Sequence, residues 1–213
     1  MIRKLILMVA TAVGLMMVSG NATAGVGYYL GAQSGMTWVD DTNTSGTSGE
    51  MDSGYAVGIT GGYDFGMFRL EAEVSYREND IDKITIFGNP TTCGGDLSST
   101  ALMLNGYIEF ENKTPVTPYV GAGFGFNRVE HKGYAKYGGN TTVTFDSSET
   151  AFAWSMTAGL AWNLSDTLAL DLSYRYFTSK DVDTAGTSNW GFTNRGQIDY
   201  EVQNVLIGLR WFF

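Results

Sequence analysis

The feature that most constrains this chain is a period-two alternation of apolar with small or polar residues, which recurs about eight times between Val26 and Phe213. A helix would bring residues three and four apart onto one face, so a period of two selects extended strands with one apolar side. In the clearest segment Phe68, Leu70, Ala72, Val74 and Tyr76 alternate with Arg69, Glu71, Glu73, Ser75 and Arg77. Elsewhere the polar side is smaller: Val120, Ala122, Phe124 and Phe126 oppose Tyr119, Gly121, Gly123, Gly125 and Asn127. Each segment spans about ten residues and is bounded by clusters of Gly, Ser, Thr, Asn and Asp. The fold class this predicts is all-β.

Connections between the segments alternate in length. Asp64 to Met67, Glu111 to Pro115 and Asn163 to Thr167 are short, whereas Val39 to Ser53, Glu78 to Ser98, Val129 to Glu149 and Ser179 to Gly196 are long and polar. Short turns at one end and long loops at the other are the asymmetry of an eight-stranded antiparallel up-and-down transmembrane β-barrel. With an even strand number both termini lie on the periplasmic side.

The first residues read as an export signal. Arg3 and Lys4 form a basic start, Leu5 to Val18 is apolar, and Ala22-Thr23-Ala24 is a small-residue cleavage site. The expected division is therefore a signal peptide over 1–24 and one barrel domain over 25–213. The apolar run is shorter than the roughly 20 residues of a spanning helix. No later run is long enough either, so a mature chain that crosses a membrane must do so as a closed barrel.

Cleavage removes two of 13 basic residues and leaves 22 acidic ones, a net charge of 11 − 22 = −11. That balance speaks against nucleic acid as a partner. Cys93 is the single cysteine and has no internal disulfide partner; it is read as a free thiol or an intermolecular bridge.

Alternation alone does not say which face points outward, since a soluble lipocalin-like barrel alternates too. The aromatic residues discriminate. On the apolar side Tyr28, Tyr63, Phe68, Phe110, Trp162, Trp211 and Phe213 fall at the short-turn end, and Trp38, Tyr55, Tyr76, Phe126, Phe152 and Tyr176 at the long-loop end. Leu, Val, Ala, Ile and Met lie between. Two rings of aromatics around an aliphatic band match a hydrocarbon layer between headgroup interfaces, which makes the cell outer membrane the expected location.

Three stretches then resemble a known group. They are Pro118-Tyr119-Val120-Gly121-Ala122-Gly123-Phe124-Gly125, Leu170-Asp171-Leu172-Ser173-Tyr174-Arg175-Tyr176, and Val205-Leu206-Ile207-Gly208-Leu209-Arg210-Trp211-Phe212-Phe213. Together they resemble the opacity-type surface-antigen family of outer-membrane barrels, related in architecture to OmpA-like transmembrane domains. The resemblance implies that the terminal strand, through Val205, Ile207, Leu209, Trp211 and Phe213, is read by the barrel-assembly machinery. Penultimate Phe212 departs from the polar residue often found there and sets a ring at the lumen mouth. With nothing after Phe213, the peptidoglycan-binding domain of full-length OmpA-type proteins is expected to be missing.

The proposed lumen collects Arg69, Arg77, Arg175 and Arg210 with Glu71, Glu73, Glu109 and Asp171. In so narrow a barrel these groups are expected to pair and fill the interior as an ionic plug. The alternative is a narrow porin-like channel for ions or small solutes. A lipid-modifying enzyme ranks third: His131, in Glu130-His131-Lys132, is the single histidine and lacks a positioned nucleophile. No cofactor, catalytic residue or metal ligand is expected, because one His and one Cys far apart lack ligand spacing. The long outer segments are the expected functional surface, where Ile84 to Phe87 can continue a strand and Tyr134, Tyr137, Val143 and Phe145 suggest a hairpin. The chain is thus expected to be an envelope-structural surface protein and antigen, meeting lipid along its wall and a host or surface ligand at its outer end.

Overall fold

In hydrocarbon every backbone N–H and C=O needs a partner within the protein, and a sheet meets that demand only by closing on itself. The computed structural model describes residues 26–39, 47–51, 53–86, 89–110, 112–137, 141–188 and 193–213. Its strands are β1 (Gly27–Val39), β2 (Thr47–Met51), β3 (Gly54–Asp64), β4 (Phe68–Ile86), β5 (Asn89–Glu109), β6 (Val116–Tyr137), β7 (Thr141–Ser165), β8 (Leu168–Ser188) and β9 (Thr193–Phe212). All pairings are antiparallel, and the wall runs β1-β3-β4-β5-β6-β7-β8-β9. It closes where β9 returns to β1, from Tyr29 opposite Phe212 to Val39 opposite Val202. Eight strands make the barrel, and β2 adds only to the far end of β4, with Thr47 opposite Ile86.

The turns at the lower, periplasmic end are tight for chemical reasons. Between β3 and β4, Gly66 has φ +93°, a left-handed conformation that a side chain would strain. The Asp64 carboxylate accepts from Gly66 N at 2.8 Å, and Phe65 N donates to Phe68 O at 2.7 Å. Between β5 and β6, Asn112 Nδ2 donates to Val116 O at 2.9 Å while its Oδ1 accepts from Thr114 N at 2.7 Å.

At the opposite end the strands run further than the alternation predicts. Most of 78–98, 129–149 and 179–196, read from the sequence as loops, is paired strand, with register continuing to Ile86–Asn89, Tyr137–Thr141 and Thr187–Thr193. Polar composition did not prevent pairing, because ladder bonds use only backbone groups and these stretches hold many Thr, Val, Ile and Tyr residues. The outer end is therefore a set of tall hairpins. The signal segment 1–24 and the side chains of Cys93, His131, Tyr134, Tyr137, Val143 and Phe145 lie outside the described residues.

The faces sort as the alternation predicts. Ile59, Leu70, Leu104, Phe124, Met156, Leu172 and Ile207 point outward and are exposed, as are Trp162, Trp211, Trp38, Tyr55 and Phe126 toward the two ends. Charged Arg69, Glu71, Glu73 and Arg77 are buried inside. Leaving each such Leu, Ile or Phe in water would forgo roughly 1.5–3 kcal/mol, so this inverted distribution is stable only where the outer face meets lipid.

Candidate functional site in the lumen

Inward positions come from alternate residues of all eight wall strands, so each ionic group rests on a rigid ladder. Glycine opens the space for the larger ones. A Cβ at Gly121 would strike the Tyr107 ring, one at Gly123 the Asn105 amide, and one at Gly159 the Tyr119 ring. Gly121 and Gly123 of β6 thus leave the volume that the Tyr107 and Asn105 side chains fill, while at Gly125 the β5 backbone itself comes close.

The lower layer centres on Arg210. Its Nε lies 2.7 Å from Asp171 Oδ2, and its Nη1 lies 3.3 Å from Asp64 Oδ2 and 3.4 Å from Glu109 Oε1. Arg69 Nε lies 3.0 Å from the same Glu109 oxygen, and its Nη1 is 3.6 Å from Glu71. The Arg69 Nε contact lacks hydrogen-bond alignment and Nη2 has no acceptor. Charge and ring faces hold this guanidinium instead, with its carbon 4.1 Å from the Tyr107 centroid and 4.9 Å from that of Tyr119.

The upper layer is a fork. Arg175 Nη1 reaches both Glu73 oxygens at 2.7 Å, Nη2 donates to Tyr107 OH at 3.3 Å, and Nε donates to Thr157 Oγ1 at 3.2 Å. Asn105 Nδ2 donates to Glu73 at 3.0 Å. Glu71 joins the layers, accepting from Tyr29 OH at 2.8 Å and Tyr107 OH at 3.2 Å. Seven of the eight charged residues singled out in the sequence therefore meet in one connected network.

The eighth stands apart. Arg77 donates through Nε to Asn204 Oδ1 at 3.2 Å and lies 4.1 Å above the Phe177 ring, while its Nη1 has no partner. Asp64, read from the sequence as a turn residue, instead points into the network and is buried. Among the described residues five carboxylates thus face four guanidinium groups, a formal excess of one negative charge rather than the equal count expected. Tyr29, Tyr107, Asn105, Thr157 and Asn204 complete the site. Only their parity marks them in the sequence.

Buried apolar clusters flank the ionic layers toward both ends. Leu97, Met103, Val129, Phe177, Tyr200 and Val202 belong to one buried cluster over the ionic layer. Phe212 is buried at the lower mouth, its ring 5.5 Å from that of Tyr29. Between Gln33, Thr60, Arg69, Glu71, Asp171 and Arg210 there remains a cavity of about 30 Å³, room enough for ordered water among these polar groups. On the outer wall Val205, Ile207, Leu209 and Trp211 are exposed, and half-buried Phe213 donates its N–H to Tyr28 O at 3.1 Å.

Residues 7–213 match the family model of the outer membrane protein beta-barrel domain. The chain belongs to that family. Among its relatives, the outer membrane protein PagN of Salmonella typhimurium is 29% identical over 189 residues, covering 77% of this chain and 79% of that one. A Rickettsia bellii protein named as a candidate adhesin is 23% identical over 228 residues, covering 98% and 99%. The crystal structure of Neisserial surface protein A shares the fold at TM-score 0.59 and 18% identity, over 91% of this chain and all of that one. This outer-membrane barrel is therefore a surface-exposed member of the family, embedded in outer-membrane lipid, and its resemblance to surface-antigen barrels holds at family level.

Proposed function

We propose that the protein is a non-conducting, non-enzymatic outer-membrane scaffold that displays its outer hairpins for adhesion. The observation that carries this reading is the filled interior, in which buried ion pairs lie between buried apolar clusters while three strand pairs, β4–β5, β6–β7 and β8–β9, rise beyond the lipid-facing band. A rigid, closed wall holding tall hairpins is suited to presenting contacts rather than passing solutes. The end-to-end match to a candidate adhesin supports the same reading. The partner is accordingly a host or surface ligand met at the outer end. Residues 1–24 serve as the cleaved signal, and Val205, Ile207, Leu209, Trp211 and Phe213 serve as the strand read by the assembly machinery.

The test pairs adherence with conductance. Bacteria expressing the intact barrel should adhere to epithelial cells well above vector controls. A variant in which 82–94, 132–146 and 181–197 are each replaced by a two-residue turn should adhere at control level while keeping its heat-modifiable mobility. Neither protein should give unitary currents in planar bilayers. Undiminished adherence of the folded, trimmed barrel would contradict the proposal, as would a reproducible conductance abolished by Glu71→Ala.

A further inference from the structure

The lipid-facing wall is not evenly ridged. Across β4 to β8 it carries an apolar depression of about 910 Å³. Gly106, Ala122 and Ala158 form its floor, and Phe68, Leu70, Ile108, Val120, Met156 and Tyr174 stand around it. Gly106 is in register with Ala122, and Ala158 lies diagonally from Ala122 on β7, where Val120 faces Ala158 and Ala122 faces Met156. A small side chain on each of three neighbouring strands lets hydrocarbon approach the backbone where bulkier neighbours hold it off.

Charge lies at the foot of this depression. Lys113 is the single basic residue in the lower turns 65–67, 110–115 and 163–167, which also carry the acidic Glu111 and Asp166. It is exposed in the turn that joins β5 to β6, the two strands carrying Gly106 and Ala122. That turn is fixed by the Asn112 and Thr114 hydrogen bonds described above, so the cation is held at the lower interface beneath the floor.

We propose that the depression seats an acyl chain of an anionic phospholipid from the periplasmic leaflet, its phosphate paired with Lys113. The apolar lining takes the chain, and the interfacial cation selects a net negative headgroup over a zwitterionic one. The site lies at the end of the barrel opposite the proposed adhesive hairpins, and its test is independent of theirs.

Native mass spectrometry of the folded barrel in detergent, titrated with dioleoylphosphatidylglycerol or dioleoylphosphatidylcholine, reads this directly. The wild type should hold one phosphatidylglycerol about fivefold more tightly than phosphatidylcholine, as one basic residue at an anionic surface warrants. Lys113→Gln, in an exposed turn, should remove that preference and leave the phosphatidylcholine affinity unchanged. Ala122→Phe, which fills the floor from the lipid side, should abolish the one-lipid adduct for both lipids. Equal affinity for the two lipids in wild type, or an adduct untouched by Ala122→Phe, would overturn the proposal. So would a protein dimer that Ala122→Phe dissolves, which would make a second copy the occupant.

Discussion

Arg175→Met is expected to destabilise the barrel by about 3–5 kcal/mol, because it strands the Glu73 carboxylate where water cannot reach it. Glu73 is about 1% exposed and receives its strongest bonds from the Arg175 fork at 2.7 Å. Removing the cation leaves one hydrogen bond from Asn105 at that carboxylate among those described above, and takes a donor from Thr157 Oγ1 and from the Tyr107 hydroxyl, which keeps its bond to Glu71. The double variant Glu73→Met/Arg175→Met should recover most of the loss, since replacing a buried pair with apolar groups is often neutral or stabilising. Urea unfolding in phospholipid vesicles, followed by tryptophan fluorescence, measures both. A single variant as stable as wild type would mean that the lumen is hydrated and the pair screened.

The second large effect belongs to the outer face. Leu172 projects from the middle of the lipid-facing stretch 168–176 of β8, between rings toward each end, and is half exposed. Leu172→Arg should cost about 2–4 kcal/mol, whereas Leu164→Arg at the β7–β8 turn should cost at most about 1 kcal/mol. The contrast arises from depth, since an arginine near the interface reaches headgroups and one at mid-bilayer does not. The same vesicle titration compares them. Equal costs at the two positions would remove the hydrocarbon gradient on which the orientation of the faces rests.

The periodicity made the wall legible, because side-chain direction in a strand is set by backbone geometry alone. Leu70, Phe124 and Ile207 face outward and Arg69, Asn127 and Arg210 inward, as parity requires. Three things were not legible. Asp64 sits next to a Gly turn and reads as a turn former, yet its position opposite Arg69 in the β3–β4 ladder aims it inward at Arg210. Phe177 and Val202 lie beyond the alternating segments, where β8 and β9 lose register between Ser179 and Val182 and Phe177, Thr178 and Ser179 are all buried. Phe177 and Val202 keep the inward parity of their strands, but apolar residues on the inward side read no differently there from the small and polar ones below. Partner choice was the third, since Arg77 has the same parity and composition as Arg69 but finds Asn204 and a ring face instead of a carboxylate. Such choices depend on strand stagger around the closed barrel, which no local pattern encodes.

The central claim is that one face of every strand meets lipid while the other closes on itself. Nitroxide labels placed singly at Leu170, Leu172, Tyr174 and Tyr176, in a Cys93→Ser background and reconstituted in vesicles, test it through collision rates with oxygen and with a water-soluble nickel complex. Oxygen should exceed nickel at all four sites, with the widest gap at Leu172, and a label at Asp166 in the lower turn should show the reverse. Nickel collisions at Leu172 as frequent as those at Asp166 would place that face in water and contradict the account.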